Sequence, residues 1–262
     1  MIPNRIREKL KNNKPTIATG VVSPWPGYIE ILGNMKIYDY VEWASQYSPY
    51  DLHDFDNLAR AADATDISLM IKVDQEPKTY LAERALAAGI QNVLFADIRS
   101  VEDAKEAVRA VRPEHHGGIM GVGQYRTLGY LTTKTSVNNY IKTLDDAVVA
   151  LMIEKKGAVE NIEEILSVKG VDMVQFGPSD YSISLGMPGK TTHPDVIEAE
   201  LKTIETALKL DVAPRAEINN IADAKKYLDL GVKHFSIGTD LEILDSTWRE
   251  QGSSLADVLS TI

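Results

Sequence analysis

Eight short apolar runs recur along this chain, separated by stretches whose apolar residues fall at helical spacing. They are TIATGV (16–21), YDYVEWA (38–44), SLMIKV (68–73), NVLFAD (92–97), AVVALMIE (147–154), DMVQFG (172–177), VAPRAEI (212–218) and HFSIGT (234–239). Most are apolar on both faces, as parallel strands covered by helices must be. The helical stretches are PGYIEILGN, FDNLARAAD, TYLAERALAAG, VEDAKEAVRAV, VENIEEILSVKG, PDVIEAELKTIETALKL and IADAKKYLDLG, several of them stopped by a glycine just before the next strand. Strand and helix alternating eight times over 262 residues fit a (β/α)8 TIM barrel. An open doubly wound sheet is the rival, but no glycine-rich G-x-G-x-x-G turn follows the first strand. Residues 1–262 therefore read as a single barrel domain with a C-terminal helical tail. The one long gap, Asp97 to Ala147, reads as a functional lid or an oligomer contact.

Charge and composition narrow the function. With 38 acidic against 28 basic residues the net charge is -10, which repels nucleic acid and anionic membrane surfaces. The absence of cysteine removes disulfides, zinc thiolates, iron-sulfur clusters and thiol catalysis. The longest apolar run, Ala147 to Ile153, has seven residues, against about 20 for a membrane span. The N-terminal MIPNRIREKLKNNKP is short, amphipathic and basic without a signal-peptide core, so the expected location is cytoplasmic.

Barrel enzymes carry their chemistry at the C-terminal ends of the strands. Those ends offer Gln46 and Tyr47, Lys72, Asp97, Glu154, Asp180, Arg215 with Glu217, and Asp240. Glu154 closes an apolar strand and Asp180 follows the Gly177-Pro178-Ser179 turn after the next one, so two carboxylates on adjacent strand ends can converge on a hard divalent cation. The alternative is a solvated strand end and a helix cap. Arg215 and Glu217, two apart, share a strand face and are expected to ion-pair in the barrel mouth. The five histidines show no metal-ligand spacing, and His193 is placed to open the long helix.

The stretch from Ala150 to Gly189 resembles the HpcH/HpaI aldolase family, metal-dependent class II aldolases of 2-oxo acids. The parts that carry the resemblance are a strand ending in Glu154, the A-x-x-N-I-x-x-I helix at Ala158 to Ile165, G-V-D at Gly170 to Asp172, G-P-x-D-x-S at Gly177 to Ser182, S-L-G at Ser184 to Gly186, and His193-Pro194. Weaker similarity runs from Asp39 to Leu244. The resemblance implies a TIM barrel of the phosphoenolpyruvate/pyruvate-domain type. It implies a divalent cation, Mg²⁺, Mn²⁺ or Co²⁺, held by Glu154 and Asp180, and a 2-oxo acid such as pyruvate with its carboxylate on the backbone N–H groups of Ser179 and Asp180. An aldehyde would be the second small-molecule partner.

Departures from the family pattern cluster in one place. The family's D-G-E-H-A-P aligns with Ala44-Ser45-Gln46-Tyr47-Ser48-Pro49, which puts Tyr47 where the proton-transferring histidine is expected and Gln46 beside it as a substrate-binding candidate. The arginine over the enolate oxygen aligns with Lys72, which keeps the charge but not the planar fork. A glutamine two residues before the metal glutamate aligns with Met152, and the arginine of G-x-R-G-x-G with Met120. Gln124, Tyr125 and Arg126 occupy the long insertion, where Arg126 is a candidate for a substrate, surface or subunit contact. The rival readings are altered chemistry, a metal- and acid-binding protein without aldol activity, a Schiff-base enzyme using Lys72, and an acyl-CoA lyase, for which this acidic chain shows no basic nucleotide pocket.

The tail DLEILDSTWREQGSSLADVLSTI places Leu241, Ile243, Leu244 and Trp248 in one apolar cluster and Leu255, Val258 and Leu259 in another, with Gly252-Ser253-Ser254 as a break. The resemblance implies exchange of such helices between subunits and a homo-oligomer, a hexamer built as a trimer of dimers.

Overall fold

A computed structural model describes residues 2–123, 126–131 and 135–262. Strands β1 (Thr16–Val21), β2 (Tyr40–Trp43), β3 (Ser68–Val73), β4 (Asn92–Ile98), β5 (Val148–Ile153), β6 (Met173–Phe176), β7 (Ala213–Ile218) and β8 (His234–Thr239) pair in parallel in sequence order. β8 returns to β1, closing the barrel. Every expected run thus becomes a strand. Their apolar character on both faces serves two separate cores. The outward residues, such as Val41, Ile71, Phe95, Val149 and Leu151, pack on the helices. The inward ones, Ala18, Tyr40, Met70, Leu94, Val148, Ala150, Met152 and Met173, fill the barrel.

The N-terminal helix Arg5–Lys11, which the sequence reading left without a fold role, plugs the end where the strands begin. Ile6 is fully buried in the inner core, and Arg7 clamps Asp172 with two hydrogen bonds of 2.6 Å. Asp240 closes the opposite end of the loop after β1, accepting the Val22 and Ser23 N–H groups at 2.8 and 3.1 Å, so its role is structural.

Several expectations are corrected. The tail is one continuous helix, Asp240–Leu259, because a glycine inside a helix costs only about 1 kcal/mol and Gly252 and its two serines do not break it. The expected helix over 159–170 is two short ones, Lys156–Glu160 and Ile162–Leu166, with Asn161 leaving helical geometry between them. The described part of the long insertion does not cover the mouth. Met120 and Leu128 enter the outer core, and Arg126 pairs at 2.6 Å with Asp63, in the last turn of the helix Leu52–Thr65 that leads into β3. That contact lies at the end of the barrel where the strands start. Gln124 and Tyr125 lie outside the described residues. His193 caps the helix Pro194–Lys209 as expected, accepting the Asp195 N–H. No described helix is long and apolar enough to cross a membrane.

Candidate active site

Strand alternation decides which side chains reach the mouth. On β5, Val148, Ala150 and Met152 fill the barrel, and Glu154 continues that inward series just past the strand end. By the same step of two, β2 runs from Tyr40 to Glu42, β3 from Met70 to Lys72, β6 from Met173 to Gln175, and β7 from Ala213 through Arg215 to Glu217. These polar residues line a cavity of about 670 Å³, a size usual for small-molecule sites.

Glu154 is only 3% exposed. Its Oε1 accepts the Asp97 backbone N–H at 2.8 Å. Asp97 can aim that N–H because β4 shifts register there and Asp97 adopts a φ of 54°, a left-handed conformation that aspartate tolerates better than most residues. Space is kept open beside the second oxygen, since a Cβ on Gly177 would stand 2.7 Å from Oε2. Burial pushes the Glu154 carboxyl above its ordinary pKa; the Lys72 charge and the Asp97 N–H oppose this, while Asp180 and the Asp97 carboxylate add to it.

Asp180 lies in the first turn of the helix Pro178–Ser184, whose N-cap, Gly177, offers no side chain. The N–H groups of Ser179 and Asp180 therefore lack intrahelical acceptors, and both residues line the cavity. Lys155 links the acids on this side, 2.6 Å from Asp97 Oδ1 and 4.0 Å from Asp180 Oδ1. Among the described residues no group of three or more His, Cys, Asp or Glu is placed to hold a metal ion. Two hard carboxylates, one desolvated and one half-exposed, suit a divalent cation that keeps positions for water and substrate.

Lys72 is 4% exposed on β3 and donates to Tyr47 Oη at 2.6 Å, with its Nζ 4.6 Å from the centre of the Tyr47 ring. Tyr47 ends the 3-10 turn Ser45–Tyr47, which Ser45 ties to β3 by donating to the Lys72 carbonyl at 2.7 Å. Burial alone would lower the Lys72 pKa, but Tyr47, Glu154 and Glu42 outweigh it and hold the amine above its ordinary value. Gln46 is not brought into the cavity; its side-chain oxygen is buried without a hydrogen-bond partner among the described residues.

Arg215 does not pair with Glu217. Residues two apart on a strand sit about 6.6 Å apart, whereas barrel closure sets Glu42 of β2 against Arg215, and those two form the ion pair. Both are nearly fully buried. Glu217 instead accepts a hydrogen bond from Gln175 Nε2 at 2.7 Å. Glu217 stays exposed at the cavity, although many protein atoms surround it. Burial and Glu42 raise its carboxyl, against Arg215, Gln175 and Lys72. Glu42 and Gln175 are absent from the residues singled out in the sequence. The signal that reveals them is a polar residue at an inward position of an otherwise apolar run.

A family model described as "HpcH/HpaI aldolase/citrate lyase" matches residues 48–246. A hydroxypyruvate/pyruvate aldolase from Roseobacter denitrificans is 31% identical over 230 residues, 87% of this chain and 86% of that protein. A 4-hydroxy-2-oxo-heptane-1,7-dioate aldolase from Shigella sonnei is 34% identical over 163 residues, 62% of this chain and 61% of that one. Among solved structures, an HpcH/HpaI aldolase/citrate lyase family protein from Burkholderia cenocepacia superposes with a TM-score of 0.87 at 25% identity, over 97% of this chain and 100% of the other. An HpcH/HpaI aldolase from Desulfitobacterium hafniense gives 0.86 at 24% identity, over 95% and 96%.

Proposed function

Because the chain belongs to the HpcH/HpaI aldolase/citrate lyase family, we propose that it is a class II carbon-carbon lyase that makes or breaks the bond next to a 2-oxo acid such as pyruvate, with an aldehyde as the second partner. The observation that carries this reading is the buried Glu154 carboxylate, oriented by the Asp97 N–H, in one cavity with Asp180 and the Lys72 ammonium.

Glu154 and Asp180 are the residues that would hold the divalent cation, Mg²⁺, Mn²⁺ or Co²⁺. When bound, such an ion supplies Lewis-acid polarisation of the carbonyl as an enolate develops. The chain's own residues do the rest. Ser179 and Asp180 offer backbone N–H groups to the substrate carboxylate. Lys72 brings a fixed positive charge to the carbonyl oxygen, worth most where charge builds up in the transition state. Its raised pKa keeps it protonated, which suits charge stabilisation and opposes a Schiff-base role, since only the free amine attacks a carbonyl. Tyr47 Oη accepts from Lys72, so its own proton is not used in that bond and can be shared with the hydroxyl oxygen at the bond being formed or broken.

The continuous helix Asp240–Leu259 leaves Leu241, Ile243, Trp248, Leu255, Val258 and Leu259 exposed, an apolar surface that supports assembly with further copies of the chain as a hexamer built from three dimers. Light scattering giving 28.9 kDa, the mass of one chain, would contradict that assembly.

The lyase reading is tested by incubating the protein with pyruvate and a panel of aldehydes with Mg²⁺, Mn²⁺ or Co²⁺, alongside calorimetric titration of each metal. Metal-dependent formation of 4-hydroxy-2-oxo acids, lost with metal affinity in both Glu154→Gln and Asp180→Asn, is expected. Unchanged metal affinity in both variants would refute the assignment of ligands.

A further inference from the structure

Beyond the C-terminal ends of β3 and β4, outside the residues that line the cavity, Lys78 is a cation in an unfavourable place. It is the first residue of the helix Lys78–Ala88, where the positive end of the helix dipole repels an ammonium, and its side chain is only 3% exposed. Two carboxylates of the neighbouring helix Val101–Val111 offset this. Lys78 Nζ donates to Asp103 Oδ1 at 2.9 Å and lies 3.3 Å from Glu106 Oε2. Burial alone would lower the Lys78 pKa and raise that of Asp103, yet each is shifted the other way, Lys78 by Asp103 and Glu106, and Asp103 by Lys78 and the Arg99 N–H. Both therefore stay charged.

The pair stands between two loops that serve the site. The loop before Lys78 leaves β3, which carries Lys72, and the loop before Val101 leaves β4, which carries Asp97. Asp103 Oδ1 takes the Lys78 ammonium, while its Oδ2 accepts from the Arg99 N–H at 3.0 Å, the Ser100 N–H at 3.0 Å and the Ser100 hydroxyl at 3.1 Å. Two residues before Arg99, Asp97 holds its φ of 54°, which an L residue keeps only where its surroundings impose it, and so its N–H donates to Glu154 Oε1. A run of contacts thus joins Lys78 to the carboxylate assigned to the cation. For packing alone, two apolar side chains would serve as well as a buried ion pair. What the pair adds is direction: with Lys78 on one oxygen, Asp103 turns the other toward the loop.

We infer that Lys78 is a positioning residue: across Asp103 it fixes the 97–100 stretch so that the Asp97 N–H keeps Glu154 turned for a cation. This rests on the lyase reading for what Glu154 does. The positioning of Asp97 rests only on the contacts.

The test compares the wild-type protein with Lys78→Met, Lys78→Arg and Asp103→Asn in two arms. The first needs neither metal nor substrate: hydrogen exchange followed by residue-resolved mass spectrometry. At Asp97, exchange should speed up by at least about tenfold in Lys78→Met and Asp103→Asn, while at Val149, whose N–H bonds Asp172 near the start of β5, it should change by less than about twofold. Lys78→Arg, which keeps the charge, should stay within about threefold of wild type at Asp97. The second arm is calorimetric titration of Mn²⁺, whose affinity should fall by about tenfold in Lys78→Met and Asp103→Asn and recover in Lys78→Arg. Exchange at Asp97 raised no more than at Val149, Mn²⁺ affinity unchanged in the variants, or equal effects of Lys78→Met and Lys78→Arg would overturn the inference and leave the lyase reading intact. Should Lys78→Met fail to fold, Asp103→Asn decides by the same two readings. Selective exchange at Asp97 with weakened Mn²⁺ binding, in a protein that makes no product from pyruvate and any aldehyde, would uphold the positioning and overturn the lyase reading. No Mn²⁺ binding in the wild-type protein would overturn both.

Discussion

The two sides of the barrel mouth are built on opposite electrostatic plans. On the β5–β6 side, Glu154 and Asp180 are like charges on neighbouring strand ends; Lys72 acts on Glu154, while Lys155 lies 2.6 Å from Asp97 and only 4.0 Å from Asp180. On the side made by β2, β3 and β7, the charged groups find partners within the protein: the buried Arg215 with Glu42, the buried Lys72 with Tyr47, and the exposed Glu217 with Gln175 of β6. The first side carries an excess of negative charge, of the kind a divalent cation would relieve. On the second, the buried Arg215 and Glu42 neutralise each other. Departures from the family pattern fall on both sides, Tyr47 and Lys72 on the second and Met152 of β5 on the first, while Glu154 and Asp180 match the pattern.

The largest expected effect tests the paired side. Arg215→Met leaves Glu42 as an unpaired buried carboxylate, and breaking such a pair costs about 3–5 kcal/mol. Arg215→Met combined with Glu42→Gln should recover much of that loss in urea unfolding. If the double variant is no more stable than Arg215→Met alone, the pair is not what balances this side.

Next in size is Lys72. If its charge acts on the developing enolate, Lys72→Met should lower kcat by on the order of 10²–10³ with KM little changed, and Lys72→Arg should retain more activity than Lys72→Met. A pure KM effect would place Lys72 in substrate binding and blur the line between the two sides.

A third prediction follows the reach of the Arg215 charge. His234 on β8 has its pKa pushed down from 6.5 to about 4, first by burial and then by Lys233 and Arg215. The unfolded chain binds this proton at higher pH than the folded one, so stability from neutral His234 is fully present above pH 6.5. It is lost as pH falls toward 4, by roughly 3 kcal/mol in all. In Arg215→Met the folded pKa moves back toward 6.5, so the loss should level off at a higher pH and be smaller in all. An unchanged pH profile of unfolding would mean that the buried Arg215 charge does not reach His234.

The smallest effect is at Tyr47, 56% exposed on the rim. Tyr47→Phe removes one hydrogen bond to Lys72, and kcat should fall by about tenfold or less. Tyr47→His, with a base that titrates nearer neutral pH, should raise the rate of proton transfer. A Phe variant equal to wild type would move proton transfer to another group.

Much of this was legible in the sequence for identifiable reasons. The strands declare themselves because a barrel strand is buried on both faces, and the carboxylates Glu154 and Asp180 because each sits at a strand end within a motif. Pairings across the barrel were not legible. Glu42 and Arg215 are far apart in the chain and meet only because eight strands close on themselves, so the visible i, i+2 spacing pointed to the wrong partner, Glu217. The orienting N–H of Asp97 depends on a backbone angle that residue type does not dictate. The tail misled because Gly252 reads as a break, whereas helix interiors tolerate it.

The most direct test of the account is deuterium exchange into the methyl group of pyruvate, followed by proton NMR in D₂O without any aldehyde. It reports enolate formation alone, the step that Glu154, Asp180 and Lys72 are assigned to support. The account predicts loss of the methyl signal in the presence of Mg²⁺ or Mn²⁺, stopped by a chelator and slowed by on the order of 10³-fold in Glu154→Gln. Exchange at the same rate in Glu154→Gln, or none in the wild-type protein with any of the metals, would contradict it.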